Sequence, residues 1–357
     1  MPDTSVDADS VSTAIIPILG YSSDIGLLVG GVFSRYDYRG NTKPFNNLKQ
    51  IQGIISTKGY INAEVLYEKT NTFGKDIRTT VNAYGNRFKD DTFFGIGNNT
   101  TYSQQLWDDE YYFFESISFG LNLKFRKPVY QKGRAQFDLS AGIGFDYQIA
   151  YVNQSNSSFN QIMPNGSDGG FVNYLSGGFV WENRDSEFDP HIGNRAELEI
   201  NYAPKYLSEF PLTTIRLDLR QYARLFNYIT LAGRVEARHA GGDVPYWELS
   251  TLGDDYSLRG YPLNRFKGSS SLAYNLEMRS WLIHLPNYGV RIGAHTFTDG
   301  GRVFTGQDSF KDIFKSHKHT WGVGGAVSAF SPDFILRADL GFSDDSNQLY
   351  IGIGYMF

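Results

Sequence analysis

Cysteine is absent from the 357 residues, which excludes disulfides, thiolate metal sites and cysteine nucleophiles. Long apolar runs are absent as well. A membrane-spanning helix needs about 18–20 consecutive apolar residues, and stretches such as "IGLLVGGVF" reach roughly half of that. There is no basic surplus: the formal net charge is −5, so nothing global points to nucleic acid. The opening "MPDTSVDADSVS" has neither a basic start nor an apolar core and does not read as a signal peptide. The chain is then expected to be either cytosolic or one whose targeting segment has been removed. HExxH, phosphate-loop and Gly-x-Ser-x-Gly patterns are missing too. No catalytic residue, metal site or cofactor is expected.

What the chain has is aromatics and glycine, with 24 Tyr, 27 Phe and 38 Gly, and a period-two alternation that runs to its end. In "LYIGIGYMF", Leu349, Ile351, Ile353, Tyr355 and Phe357 share one face. In "FILRADLGF", Phe334, Leu336, Ala338, Leu340 and Phe342 stand against Ile335, Arg337, Asp339 and Gly341. In "TTIRLDLRQYARL", Ile215, Leu217 and Leu219 stand against Arg216, Asp218 and Arg220. Such alternation puts one set of side chains on each side of a sheet.

The second face decides the class. It carries both signs of charge on strand after strand: Glu197, Glu199, Arg234, Glu236, Arg238, Glu277, Arg279 and Arg291. Apolar outward and charged inward is the pattern of a transmembrane β-barrel, which closes because a sheet edge cannot survive in hydrocarbon. The expected fold is all-β, a 16-stranded antiparallel transmembrane barrel. Strands are read near residues 12–20, 24–38, 47–57, 60–70, 75–90, 109–127, 134–152, 169–184, 192–206, 210–225, 228–240, 270–284, 289–304, 318–330, 334–343 and 348–357. Residues 1–11 are expected to be a disordered stub and residues 12–357 one barrel domain. With both termini periplasmic, the long connections (91–108, 153–168, 241–269 and 305–317) are extracellular and the short ones (226–227, 285–288, 331–333) periplasmic.

Two segments stand out. "DDYSLRGYPLNRFKG" lies in the long loop 241–269 before the twelfth strand, and "FTDGGRVF" at 297–304 lies in the thirteenth. Glu277 and Asp299 are inward carboxylates on those neighbouring strands and need a cation to stay charged. Arg259 could reach them if the loop folds back, with Gly260 allowing a sharp turn and Tyr261 and Phe266 packing alongside. Alternatively Arg259 is solvated and the carboxylates pair with Arg279 and Arg291. His295 is expected beside Asp299. "SHKH", with His317 and His319, and the acid pairs at 254–255 and 344–345 read as solvated loop residues rather than metal ligands.

"SLRGY", "FTDGGRVF" and "ENRDSEFDPHIGNRAELEI" at 182–200 together resemble the bacterial surface-antigen superfamily. Its members include the central subunit of the β-barrel assembly machinery and the two-partner-secretion transporters. The resemblance implies that Arg259 reaches into the barrel and pairs with Asp299 and Glu277, so that the loop partly plugs the lumen. Gly260, Tyr261, Phe297 and Gly300 fill the remaining motif positions. It also implies a weak seam between residues 12–20 and 348–357. Pro17, Gly20, Gly352 and Gly354 weaken pairing there, and Phe357 ends the seam.

The resemblance further implies a bacterial outer-membrane location, lipid contact, and unfolded outer-membrane proteins or a secreted polypeptide as clients. The implied work is insertion or translocation through the seam. Assembly and export members carry polypeptide-transport-associated domains before the barrel, and this sequence has about eleven residues there. Two alternatives stay open: a barrel that anchors a separate domain such as a patatin-like lipase, and a passive pore.

Overall fold

The computed structural model describes residues 11–39, 45–151, 156–226, 228–329 and 334–357. The expected N-terminal stub, apart from Val11, and the connection 331–333 lie outside them. The strands are β1 Val11–Ser22, β2 Gly26–Asp37, β3 Asn47–Ser56, β4 Tyr60–Thr72, β5 Ile77–Thr92, β6 Phe113–Lys132, β7 Ala135–Tyr151, β8 Gly170–Glu182, β9 Gly193–Ala203, β10 Leu212–Leu225 and β11 Ile229–Gly242. A small hairpin follows, β12 Ser250–Leu252 with β13 Phe266–Gly268, and then β14 Ser270–Leu285, β15 Val290–Phe304, β16 Lys318–Ser328, β17 Ile335–Phe342 and β18 Asn347–Ile353. All but the hairpin join in one closed antiparallel barrel of sixteen strands, in which β11 pairs with β14 and β1 meets β18. No helix among the described residues is long and apolar enough to cross a membrane; the barrel crosses with its strands.

The alternation is realised as inside and outside. On β17, Leu336 and Leu340 are exposed while Arg337 and Asp339 are buried. On β10, Leu219 is exposed while Asp218 and Tyr222 are buried. The inward charges can be kept because they pair across strands. Asp218 on β10 takes Arg220 at 2.7 Å and Arg234 of β11 at 2.9 Å, and Arg216 takes Glu236 at 2.8 Å.

The largest departures from the expected strand bounds are in the sixth strand and the last. The sixth strand begins at Phe113 rather than 109, because a short helix, α1 Gln104–Asp108, and a turn precede it. It continues to Lys132, and the ladder shifts register between Pro128 and Tyr130, where proline cannot donate. The last strand ends at Ile353 rather than 357. Gly354 takes φ +83° and its N–H bonds to Ile335 O at 2.8 Å, turning the chain off the ladder. Tyr355 and Phe357 therefore do not continue the outer face. Met356 and Phe357 are buried against Tyr222 and Ala232 inside the barrel.

The loop between β11 and β14 carries its own apolar cluster. Leu252, Leu258, Tyr261 and Phe266 pack on Ala273 and Val303 of the wall. Each such burial contributes about 1.5–3 kcal/mol, whereas each ordered residue costs about 1–2 kcal/mol of backbone entropy. Apolar contact alone therefore does not hold a loop of this length in place.

Candidate functional site

Polar contacts supply the rest, and they converge on Arg259, which is fully buried. Its Nε and Nη2 donate to the two oxygens of Asp299, both at 2.9 Å, a planar fork on a planar carboxylate. Nη1 donates to Glu277 Oε1 at 2.5 Å and to Asp339 Oδ2 at 3.2 Å. The main-chain N–H of Arg259 adds a further bond to Asp299 at 3.2 Å. The guanidinium carbon lies 3.4 Å from the ring centre of Phe297, so one face of the cation is covered by an aromatic.

Backbone shape makes this approach possible. Gly260 has φ +109°, and a Cβ there would stand 2.8 Å from the backbone nitrogen of Phe342. Phe297 in turn lies over Gly322 of β16, where a Cβ would be 2.1 Å from the ring. Tyr261 meets Phe266 edge-on at 5.1 Å. Gly300 belongs elsewhere: it sits beneath the ring of Tyr274, not beside Arg259.

The cluster is wider than three residues. Asp339 also receives His295 Nε2 at 2.6 Å and Arg337 at 3.2 Å, and Glu277 receives Arg279 Nε at 2.7 Å. Three guanidiniums (Arg259, Arg279, Arg337) thus face three carboxylates (Glu277, Asp299, Asp339). Charges balance, which is what a cluster taken out of water requires. Of the alternative partners, Arg279 does bind Glu277, but Arg291 binds Asp189 at 3.2 Å instead. His295 is on Asp339, not Asp299.

The loop tip also touches both strands of the seam. Tyr350 of β18 receives the Gly260 N–H at 3.3 Å, and Ser343 and Ser346 each donate to Gly260 O at 2.8 Å. On the other side, Leu263 N–H donates to Asp24, in the turn after β1, at 3.0 Å. The seam itself is short. Tyr21 pairs with Ile351 and Ser22 with Tyr350, whereas β1 pairs with β2 over its whole length. Ser23 and Leu349 add two further bonds at 3.0 Å each.

The seam expected along 12–20 and 348–357 is thus confined to its long-loop end. Pro17 faces Gly31 on β2 and no residue of β18. Gly20 touches across, since a Cβ there would lie 2.9 Å from Ile351 O. Gly352 faces open space, Gly354 makes the turn and Phe357 is in the lumen. The chain end turns inward at Gly354 instead of pairing with β1, and Met356 and Phe357 are buried.

Residues 49–357 match the family model described as the Omp85 superfamily domain. The chain belongs to the Omp85 superfamily. As an Omp85 chain it is an outer-membrane β-barrel, and solved structures share its fold. BamA from Haemophilus ducreyi lacking POTRA domains 1-3 aligns over 97% of this chain and 71% of its own, with TM-score 0.66 and 14% identity. CdiB from Escherichia coli aligns over 96% and 63%, with TM-score 0.63 and 13% identity. CdiB from Acinetobacter baumannii aligns over 97% and 66%, with TM-score 0.54 and 13% identity. The chain thus spans just under two thirds of either CdiB. No curated protein sequence matches it.

In this Omp85 barrel, sequence reasoning missed Asp339, Arg337 and Tyr350 as partners of the loop. Asp339 and Arg337 were visible as inward residues of the seventeenth strand, but nothing local links them to Arg259, which lies 80 residues away from Asp339. The loop acids are engaged within the protein: Asp254 accepts from Ser257 at 2.7 Å and Asp345 takes Arg265 at 2.5 Å. His319 lies 3.4 Å from Tyr274 Oη.

Proposed function

We propose that this barrel inserts or translocates polypeptides, with the junction of β1 and β18 as the element that opens and both chain ends on the periplasmic side. The observation that carries the reading is the two-pair seam set in the shortest part of the wall. β17 and β18 have 8 and 7 residues, against 20 in β6. A spanning strand needs about 9–11 residues, so the hydrocarbon layer is thinned beside the seam. Below it, β1 from Val11 to Gly20 has no partner on β18. Among the described residues that stretch is an unpaired edge, able to template a strand of an unfolded client by main-chain hydrogen bonds. No covalent step is involved. The loop carrying Arg259 braces the lumen and narrows it.

The test is a cysteine pair at Tyr21 and Ile351, which are directly opposed. Oxidised, it should abolish insertion of an unfolded outer-membrane protein into liposomes carrying the barrel, and reductant should restore it. Full activity of the locked protein would overturn the seam mechanism and favour a membrane anchor, which has no need of an opening seam. A large steady conductance in planar bilayers would favour a passive pore.

A further inference from the structure

At the short-turn end, the β8–β9 connection (residues 183–192) doubles back along the lumen wall. Asp189 accepts from Trp281 Nε1 at 3.0 Å and from Arg291 at 3.2 Å, and His191 Nδ1 lies 2.7 Å from Thr230 Oγ1. Between the connection and the wall lies a cavity of about 170 Å³, lined by Asp189, Arg224, Tyr228, Thr230 and Arg279 among others. At about 30 Å³ per water, it holds a phosphate-sized group with a few waters.

Two of its side chains have donors that the protein does not use. Arg279 is 4% exposed; its Nε serves Glu277 and its Nη2 serves Phe357 O, but Nη1 is buried without a partner. Arg224 makes no ion pair or side-chain hydrogen bond among the described residues. The one lining carboxylate, Asp189, is already held by Trp281 and Arg291. With Arg279 paired to Glu277 and Asp189 to Arg291, the charge of Arg224 is the one left uncompensated in the lining.

The height of the cavity points to the source of the missing anion. Tyr228, which lines it, is 66% exposed, and Phe226 and Tyr288 at the same end are 75% and 80% exposed. Exposed aromatics at a barrel rim sit at headgroup level, where lipid phosphates lie. We propose that the cavity binds the phosphodiester of a phospholipid headgroup, with Arg224 and the free Nη1 of Arg279 as its donors and the Thr230 hydroxyl beside them. A singly charged phosphodiester matches the charge left over, and free phosphate shares the chemistry. The site does not depend on the seam.

Isothermal titration of the detergent-solubilised barrel tests this with three probes: dihexanoyl phosphatidylglycerol, dihexanoylglycerol and inorganic phosphate. The phospholipid should bind saturably and the diacylglycerol should not. Arg224→Gln should weaken phospholipid binding by about tenfold or more, as loss of charge-assisted bonds does. Arg224→Lys, which keeps the charge, should retain part of it. Equal binding of the diacylglycerol, an unchanged affinity in Arg224→Gln, or no binding by wild type overturns the site. Saturable binding of inorganic phosphate alone overturns the lipid assignment. The diacylglycerol comparison uses wild-type protein and stands even if the variant fails to fold.

Discussion

The main-chain N–H of Leu263 donates to the carboxylate of Asp24 at 3.0 Å, across 239 residues of sequence. With Tyr350 bonded to Gly260 on the other side, this makes the loop tip a clasp over the two strands of the seam. The loop that carries Arg259 thus bonds to both sides of the seam, beside the end where β1 and β18 pair among the described residues.

The clasp should depend on pH. Burial pushes the Asp24 carboxyl from 3.8 up to about 7, with Asp254 and Asp255 adding to the rise and the Leu263 N–H and Lys58 opposing it. Asp255 is pushed to about 6 by burial, with Asp254 adding and Arg337 opposing. A carboxyl raised in the folded state holds its proton more tightly there, so its stabilising contribution is full below about 4 and is lost as pH rises through about 7. Loop 243–269 should resist protease better at pH 5 than at pH 8. Asp24→Asn should flatten most of that difference; an unchanged profile would remove Asp24 as its source.

Removing the central cation leaves three buried carboxylates facing two guanidiniums, and Asp299 loses its guanidinium partner. Arg259→Ala should lower unfolding stability by about 3–5 kcal/mol, the usual cost of breaking a buried ion pair from one side. Arg259→Lys should recover only part, because an ammonium cannot fork onto Asp299 while reaching Glu277. The denaturant midpoint, followed by heat-modified gel migration, measures both. Noisier single-channel conductance is expected in parallel.

Gly260 should tolerate no side chain. Its φ of +109° and the backbone of Phe342 at 2.8 Å from a would-be Cβ act together. Gly260→Ala should displace the tip and expose the loop to protease almost as fully as Arg259→Ala, although it removes no charge. Wild-type protection would show that the tip has room to shift.

Gly322 tests the aromatic cover on Arg259. A Cβ there would stand 2.1 Å from Phe297 and 2.4 Å from Leu340 O. Gly322→Ala should cost about 1–3 kcal/mol, as overpacking does. Phe297→Leu combined with Gly322→Ala should recover part of the loss. If the double variant is no better than the single, the obstacle is the Leu340 backbone rather than the ring.

What the amino-acid sequence determined by itself was everything set by local period and composition. Alternation fixed which side of each strand faces lipid, and charge on the other face established a polar lumen. The strand number followed, because each of the sixteen strands is long enough to alternate visibly, even β18 with 7 residues. Adjoining strands and a long loop made it possible for Arg259 to meet Glu277 and Asp299 but left a solvated Arg259 open; the family resemblance is what singled out Arg259, Gly260, Glu277 and Asp299 as a set.

Only the tertiary structure decided the rest, because it depends on which distant surfaces meet. Asp339 and His295 joined the cluster because closing the barrel brings β15 and β17 around the same loop tip. The seam lies at Tyr21 and Ser22, and the last four residues leave the ladder, with Met356 and Phe357 buried against Tyr222. The period-two pattern runs unbroken through Tyr355 and Phe357, so it could not report that Gly354 turns the chain inward. Asp24, one acid in a three-residue turn, showed nothing of its role until the loop came down on it.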